Sequence, residues 1–412
     1  MPRHPRPTHR RRTRRRSLLA VVTLLTSAAA GVTGTALPAS AVDSWQVPAS
    51  ARIVVTGHGY GHGHGMSQYG AEGAAQQGLG YRRIAEFYYP GTEWGVAKGR
   101  ISVLVSADTT DDLVVLNRSG LAVGDLTAGT RTALPDVGAT RWRLLAGVGS
   151  STVVSYLSGT WHRWRVLEGD AEFYAGGEPI SLVTPTGISA YRGRLRSASP
   201  TPGETARDTV NVLSLDNYLQ GVVPLEMPAS WSPAAVRAQA VAARTYAAYE
   251  RAHPRAAHYE ICDTTACQVY GGYDAEHPAA NAAVLATERS VLEVDGEPAF
   301  TQFSSSSGGW TSAGAAPYLS AREDPYDAWA GNPVHSWSVT FTDADIEARY
   351  PAIGDLERII VAARDGNGEW GGRVVSLTFV GSRDRVTVSG DSARATLGLR
   401  STWFTFRVRS AA

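Results

Sequence analysis

Glu226 is a lone acidic residue in the otherwise uncharged run Gly221–Ala235. A carboxylate is costly to remove from water, and apolar neighbours raise its pKa, which prepares it to act as a general acid. Because Pro224 and Pro228 restrict the backbone on either side, the sequence favours a fixed side chain over a mobile one. The alternative is a structural acid that backbone N–H groups or an arginine such as Arg244 would satisfy.

A second group of chemically capable residues lies where glycine occupies every second position, from Gly57 to Gly65. Its histidines are His58, His62 and His64. Their spacing could ligate a metal ion, but alternating glycines hold imidazoles loosely, and no Asp or Glu lies within five residues of them. The histidines could instead form a groove wall that touches substrate, or a purely structural loop. Side chains suited to sugar hydroxyl and acetamido groups follow directly, namely Ser67, Gln68 and Tyr69.

A run of four serines, 304–307, precedes Gly308 and Gly309. This loop is either a plain flexible connection or, because Phe303 and Trp310 flank it, part of a polysaccharide groove. Its candidate contact residues are Ser305, Ser306 and Ser307. The sequence contains no Gly-x-Ser-x-Gly elbow, nucleotide-binding loop or His-Glu-x-x-His motif, so it does not support the chemistries that those motifs carry.

The chain has two cysteines, Cys262 and Cys267. In an exported protein, a pair separated by four residues is most simply a disulfide that closes a small loop. The rival hypothesis is a metal site that also uses His258, but it lacks the fourth ligand that structural zinc requires. We therefore expect no cofactor, with zinc as the alternative.

The predicted secondary structure is β-rich before residue 215 and mixed after it. Short β-branched or alternating runs between Ile101 and Leu213 predict strands. A long helix is predicted from the N-cap Ser232 to about Arg251, with a stripe of small residues and Pro254 beyond its end. Other predicted helices cover 71–77, 81–89, 278–288 and 355–363, and other predicted strands cover 290–294, 373–380 and 384–388. Since there is no strict βαβ rhythm, the predicted class is α+β, with small mixed sheets and one long helix.

The first 41 residues have the pattern of an export signal. They hold eight arginines and no acid, then the apolar run Leu18–Leu25 and the small-x-small triplet Ala39–Ala41. The arginines from Arg14 onward also permit twin-arginine export, and an uncleaved anchor helix is the alternative. Residues 42–50 are predicted to be a linker. No segment after the signal is apolar for long enough to span a bilayer.

Removal of this signal changes the sign of the net charge. The whole chain carries +1 from 39 basic and 38 acidic residues, whereas without the eight signal arginines 31 basic residues face 38 acidic ones, which gives −7. Nucleic-acid binding relies on Lys and Arg at the phosphates, so an acidic surface argues against such a partner.

Five motifs are spread over residues 57–311: GHGHGMSQYGA with the following YYPGT, YLQGVVPLEMPASW, AQAVAARTYA, CDTTACQVYGG and FSSSSGGWT. Together they resemble the SpoIID/LytB family, named for a sporulation protein and an amidase enhancer. The resemblance implies a lytic transglycosylase that cleaves peptidoglycan between N-acetylmuramic acid and N-acetylglucosamine and prefers strands without stem peptides. The family's single catalytic Glu, in its E-M-P motif, falls on Glu226.

One carboxylate suffices for such a reaction because the substrate supplies its own nucleophile. Glu226 would protonate the departing glycosidic oxygen and then act as base for the muramic C6 hydroxyl, which closes a 1,6-anhydro ring. The candidates for positioning glycan lie in the motifs and are His62, His64, Ser67, Gln68, Tyr69, Arg244, Tyr246, Gln268, Ser305, Ser306 and Ser307.

The order of the motifs departs from the family pattern. The GHGxGMSQYGA segment normally ends the domain but opens it here, which indicates a circular permutation of a domain that spans 51–412. The predicted parts are the permuted segment 51–93, a β-rich part 100–215, a catalytic core 216–330 and a C-terminal α/β part 331–412. The hypothesis predicts that the backbone near residue 52 neighbours that near residue 408.

The cysteines depart from the family as well. Some relatives bind zinc with two Cys and two His, but Ala266 stands where a second His is expected, and this favours the disulfide. The predicted protein is an exported cell-wall enzyme that acts on peptidoglycan glycan strands. The alternative is a non-catalytic, wall-binding enhancer of an N-acetylmuramoyl-L-alanine amidase. A third hypothesis is an ordinary hydrolase whose second acid is one of Asp263, Asp274, Asp324 and Asp327.

Overall fold

The computed structural model describes residues 43–411, so the predicted export signal over 1–41 lies outside the described residues. Up to residue 214 the strands are β1 (Asp43–Gln46), β2 (Ala51–His58), β3 (Met66–Ser67), β4 (Glu93–Val96), β5 (Arg100–Leu104), β6 (Asp112–Leu116), β7 (Ala122–Asp125), β8 (Thr130–Ala133), β9 (Arg141–Ala146), β10 (Thr152–Ser158), β11 (Thr160–Leu167), β12 (Ala171–Tyr174), β13 (Ile180–Thr184), β14 (Gly187–Tyr191), β15 (Arg194–Ala198) and β16 (Asp208–Ser214). The later strands are β17 (Ile261–Cys262), β18 (Ser290–Val294), β19 (Glu297–Pro298), β20 (Phe303–Ser304), β21 (Ser336–Thr342), β22 (Leu356–Arg364), β23 (Val374–Gly381), β24 (Arg385–Ser389) and β25 (Phe404–Ser410).

The α-helices of the described residues are α1 (Gln68–Gln76), α2 (Tyr81–Tyr88), α3 (Leu215–Gln220), α4 (Val223–Glu226), α5 (Pro233–Ala252), α6 (Pro278–Ala286), α7 (Asp343–Arg349) and α8 (Gly390–Leu397). Between them, a seven-stranded sheet has the order β17-β5-β16-β15-β12-β7-β8 and a six-stranded sheet the order β11-β10-β9-β6-β13-β14. The smaller sheets are β1-β22-β23-β24, β19-β18-β4, β21-β2-β25 and the parallel pair β20-β3. These small sheets and interleaved helices confirm the predicted α+β class.

Helix α5 lies at the centre of the largest hydrophobic core of the described residues. Its alanines are almost all buried, and their small side chains allow α1, α2, α3 and α6 to pack against it. The helix begins after Ser232, as predicted, with Pro233 in the first turn. Ser232 does not cap the helix with its hydroxyl; its backbone N–H and its hydroxyl bind Glu72 of α1 instead, at 2.8 and 3.0 Å. The start of α5 is thus tied to α1.

A second hydrophobic core is built from residues near both ends of the described chain. Its buried side chains come from 47–55 and from 337–406. Strand β2 lies between β21 and β25, and its register places Arg52 opposite Arg409 and Ile53 opposite Val408. The backbone near residue 52 therefore neighbours that near residue 408, which is the adjacency that the permutation requires. The permutation itself, and the division of the domain into parts, stay predictions.

Two local predictions are wrong. Residues 42–50 are not simply a linker, because Asp43–Gln46 pairs antiparallel with Arg358–Val361 at the edge of a sheet. The predicted helix over 355–363 is instead strand β22, which is paired on both sides. Its Glu and Ala residues favour a helix, but the β-branched run at its centre packs into the second core, and this tertiary contact decides the outcome. Within the described part of the chain, no helix is both long and apolar enough to cross a membrane.

Candidate active site

Glu226 opens onto a cleft of about 330 Å³ between segments that are distant in sequence. The residues that line it are His62, Glu226, Tyr246, Thr265, Ala266, Cys267, Val269, Gln302 and Phe303. Each of the five sequence motifs contributes to this wall or lies next to a residue that does. The fold therefore brings the motifs together around one acid.

The backbone of Glu226 is held by two hydrogen bonds. Glu226 is the last residue of α4, its N–H donates to the Val222 carbonyl at 3.1 Å, and the next residue, Met227, is already extended. Its own carbonyl accepts a hydrogen bond from the Gln68 side-chain amide at 2.9 Å. Gln68 is almost fully buried, so it acts on the acid's backbone and is a positioning residue rather than the direct glycan contact that we predicted.

Hydrogen bonding offsets the burial of the Glu226 carboxyl group only in part. Burial raises its pKa above the ordinary value, and one hydrogen bond, from the Val269 N–H to Oε1 at 3.0 Å, lowers it in part. No Lys, Arg or His within residues 43–411 forms an ion pair with it. Since the side chain stays partly exposed to the cleft, the group can hold its proton at a higher pH than an ordinary glutamate does and deliver it to a bound molecule.

His62 lies in the cleft wall and is neutral at ordinary pH. Burial, followed by the charges of His64 and two arginines, lowers its pKa to about 4. The His64 N–H donates to His62 Nδ1 at 2.9 Å, and the two rings stack with centroids 4.9 Å apart. Because Nδ1 accepts, the proton of the neutral ring lies on Nε2. His58 stands apart from this pair: its Nε2 lies 3.0 Å from Glu369.

Two hydroxyl groups of the serine loop, together with that of Ser67, are hydrogen-bonded to the protein's own aspartates. Ser67 and Ser306 donate to Asp327, at 2.6 and 2.8 Å, and Ser307 donates to Asp324 at 2.8 Å. All three serines are buried and none of them lines the cleft, which argues against the predicted contact of their side chains with glycan. Only Ser305 of the loop candidates is partly exposed, and its backbone carbonyl accepts from the Tyr69 N–H at 2.9 Å.

Arg244 and Gln268 are internal as well. The Arg244 guanidinium is fully buried, pairs with Asp216 at 2.9 Å and donates to carbonyls of α6 and β18. Gln268 is buried and donates to the Ala243 carbonyl at 3.3 Å, while accepting from the Tyr218 hydroxyl. These two side chains fasten α5 to its neighbours. The predicted glycan contacts that remain partly exposed are thus His62, His64, Tyr69 and Ser305, whereas Tyr246 lines the cleft but is buried.

The cysteine pair shapes the floor of the cleft. Cys262 and Cys267 form a disulfide in the structure, and Cys267 with Thr265 and Ala266 lines the cleft. His258 does not join them, because its Nε2 lies 2.6 Å from Asp208. Among residues 43–411, no three His, Cys, Asp or Glu side chains form a group that could hold a metal ion.

Sequence reasoning missed several residues of the site. The Val269 N–H, Thr265 and Gln302 lie in or beside quoted motifs, but a backbone donor and single small polar side chains carry no signal in residue type. The acids Asp324 and Asp327 were considered only as second catalytic groups. Their internal hydrogen bonds join residues up to 260 positions apart and could not be inferred from one sequence.

The cleft and its single acid define an α+β protein with a one-carboxylate site suited to acid–base chemistry. Residues 203–293, which include Glu226 and α5, match the family model described as SpoIID, stage II sporulation protein. This match and the relatives below confirm the resemblance to the SpoIID/LytB family.

Two similar proteins from Bacillus subtilis have names that refer to a function. One, an amidase enhancer, is 39% identical over 137 residues, which make up 32% of this chain and 18% of the relative. The other, a stage II sporulation protein D, is 28% identical over 253 residues, 56% of this chain and 68% of the relative. A stage II sporulation protein D from Bacillus amyloliquefaciens is 26% identical over 257 residues. The chain thus spans less than a fifth of the enhancer's length.

Proposed function

We propose that this protein is an exported cell-wall enzyme, a peptidoglycan lytic transglycosylase with Glu226 as its general acid and base. The observation that carries the proposal is a single acid in the cleft: of the described residues that line it, only Glu226 has a carboxylate. Its raised pKa suits proton delivery, and its backbone is fixed by Gln68. Family resemblance supports the choice of peptidoglycan as substrate.

In the proposed reaction Glu226 works twice. The protonated carboxyl group donates its proton to the glycosidic oxygen as the bond to the anomeric carbon of N-acetylmuramic acid breaks. The resulting carboxylate then accepts the proton of the C6 hydroxyl, whose oxygen bonds to the anomeric carbon and closes the 1,6-anhydro ring. No water is consumed and Glu226 ends protonated, so one acid completes the cycle. Neutral His62 leaves the cleft without a second strong base or acid.

The test is product mass on peptide-free glycan strands. A lytic transglycosylase yields fragments with 1,6-anhydro ends, whereas a hydrolase consumes one water per bond cleaved, so its fragment with the new reducing end is about 18 Da heavier than the anhydro fragment. We expect anhydro ends with the wild-type protein and none with Glu226→Gln. Hydrolysed ends would reject the transglycosylase and turn attention to a second acid, and anhydro ends from the variant would reject Glu226.

The second candidate function is enhancement of an amidase. It is favoured by the relative that is named an amidase enhancer and matches at 39% identity. A binding protein could use the same cleft without chemistry, with a wall amidase as its partner. In that case strands would stay intact, and both wild type and Glu226→Gln would raise the turnover of a purified N-acetylmuramoyl-L-alanine amidase equally.

A further inference from the structure

Three aromatic side chains, Tyr69, Trp231 and Trp329, lie against one another and form a cluster (the aromatic cluster). Ring centroids are 4.8 Å apart for Tyr69 and Trp231, 6.2 Å for Tyr69 and Trp329, and 6.4 Å for Trp231 and Trp329. All three residues are partly exposed. They come from α1, from the turn before α5 and from the segment after the serine loop, so the fold assembles the cluster from distant parts of the chain.

The Trp329 ring is seated by specific contacts. Its indole N–H donates to the Tyr69 carbonyl at 2.9 Å. The ring also lies against backbone at two glycines: a Cβ on Gly331 would come within 1.9 Å of it, and a Cβ on Gly73 within 2.9 Å. Any side chain at Gly331 would displace the indole. The ring is therefore held against the backbone on one side while part of it stays accessible.

The ring faces of the aromatic cluster do not stack on one another. The three ring pairs are inclined at 60°, 42° and 79°, so none is stacked. The Tyr69 hydroxyl and the Trp231 indole N–H have no hydrogen-bond partner within residues 43–411, and neither group is buried, so both can reach a ligand. An accessible ring face with a free polar edge is how aromatic residues commonly meet amphipathic ligands.

The aromatic cluster is attached to the backbone that carries the acid. Tyr69 follows Gln68, whose amide donates to the Glu226 carbonyl at 2.9 Å. Trp231 lies five residues after Glu226, and its N–H donates to the Pro228 carbonyl at 3.0 Å. A sugar chain that places a glycosidic bond at Glu226 would extend past neighbouring surface of this kind. The apolar C–H face of a pyranose is the ligand surface that such rings accept.

We propose that the aromatic cluster is a saccharide subsite for β-linked N-acetylhexosamine units that adjoin the cleaved bond, with Trp329 as the main stacking ring. This inference rests on the proposed function, since it names a part of the same glycan-binding surface. The free Tyr69 hydroxyl and Trp231 N–H would bind hydroxyl or acetamido groups at the edge of the sugar. The subsite would contribute to affinity for glycan but would not touch the reacting atoms.

The test measures binding separately from cleavage. Titration calorimetry with a hexamer of N-acetylglucosamine, done on Glu226→Gln, reports affinity without turnover. We expect Trp329→Ala in that background to weaken binding roughly tenfold, since truncated aromatic anchors commonly cost more than about 1 kcal/mol. Trp329→Phe should restore part of the affinity, and Tyr69→Phe should cause a smaller loss. Trp161→Ala is the matched control, because Trp161, on β11, is also partly exposed but packs against Arg143 of β9.

The outcomes separate the two proposals. Hexamer binding that depends on Trp329, in a protein whose wild type fails to cleave strands, would support the subsite and reject the transglycosylase. Cleavage by the wild type, together with unchanged affinity in folded Trp329→Ala, would overturn the subsite alone. If Trp329→Ala does not fold, unchanged affinity in both Trp329→Phe and Tyr69→Ala overturns it.

Discussion

The cleft and the serine loop hold buried carboxylates in opposite ways. Glu226 accepts one hydrogen bond, from the Val269 N–H, and burial raises its pKa. Asp327 is fully buried, and burial raises its pKa too, but hydrogen bonds from His335, Ser67 and Ser306 more than offset this and place the pKa below its ordinary value. In all, six donor groups surround the Asp327 carboxylate: Ser67 Oγ, Ser306 Oγ, Ser307 N, Gly308 N, Asn332 Nδ2 and His335 Nδ1.

This difference separates a carboxylate that can react from one that organises structure. A carboxylate with every lone pair satisfied is kept ionised and has no room for a substrate oxygen. One that is desolvated, sparsely bonded and open to a cleft holds its proton and can pass it on. Asp327 therefore joins the Ser67 turn, the serine loop and His335 into one unit, while Glu226 faces the cleft. The comparison also argues against Asp327 as the second acid of a hydrolase.

The largest expected effect is on catalysis at Glu226. Glu226→Gln keeps the Val269 hydrogen bond but removes the transferable proton, so the rate of strand cleavage should fall by about 10²–10⁴-fold. The melting temperature should stay equal or rise, because a desolvated ionisable group is replaced by a neutral one. Cleavage assays and thermal melts on the same preparation check both statements. A variant that cleaves normally would remove the contrast with Asp327.

The second prediction concerns stability at Asp327. Asp327→Ala leaves several buried donors without an acceptor, among them Ser306 and Asn332, and should lower the free energy of unfolding by about 3–5 kcal/mol. Urea denaturation followed by circular dichroism measures the change. Asp43→Ala, which removes a more exposed ion-pair partner of Arg364, is a control expected to cost much less. Equal losses in both variants would show that the network has no special role.

The third prediction uses Asp324, which lies next to Asp327. Burial and the negative charge of Asp327 raise the pKa of Asp324 to about 6. Between the unfolded value of about 4 and this value, the folded protein binds a proton that the unfolded chain has lost, so stability falls as pH rises through this window. The decline attributable to Asp324 should reach about 3 kcal/mol and level off above pH 6.

Asp324→Asn should remove this decline. The amide keeps an oxygen for the hydroxyls of Ser307 and Tyr88 but does not ionise. Asp327, with its lowered pKa, acts in the opposite direction and at lower pH, where its protonation removes stability. Unfolding free energies measured from pH 3 to pH 8 distinguish the two groups. An unchanged slope between pH 4 and 6 in Asp324→Asn would contradict the assignment.

Local patterns predicted the elements that depend on local chemistry. Ser232 and Pro233 marked the start of α5 correctly, and the isolation of Glu226 among apolar residues drew attention to the one carboxylate that lines the cleft within the described residues. The β-rich part was likewise predicted from alternation. Helix α5 and these strands owe their form to periodic burial, which one sequence displays.

Pairings between distant residues could not be predicted in the same way. Arg244 looks like a cleft arginine by its motif, yet it is buried against Asp216, and a single sequence does not show which partner it has. The buried loop serines, Ser306 and Ser307, donate hydrogen bonds to carboxylates that lie about 20 residues later in the chain. Strand β22 was mistaken for a helix because its partner β23 outweighs local propensity. Each error concerns tertiary contact rather than residue chemistry.

The smallest expected effect concerns the disulfide between Cys262 and Cys267, which lies close in sequence to the hydrogen-bond donor of Glu226. Replacing both Cys262 and Cys267 by Ser frees a loop with four intervening residues, which should lower the unfolding free energy by about 2 kcal/mol. The loop precedes Val269, whose N–H is the one hydrogen bond that lowers the pKa of Glu226. A loosened loop should weaken that bond, so the pKa of Glu226 rises further and the alkaline limb of the pH–rate profile moves to higher pH. Urea denaturation and the pH–rate profile of the double variant check the two effects. A loss of stability with an unmoved alkaline limb would mean that the Val269 donor is held independently of the disulfide.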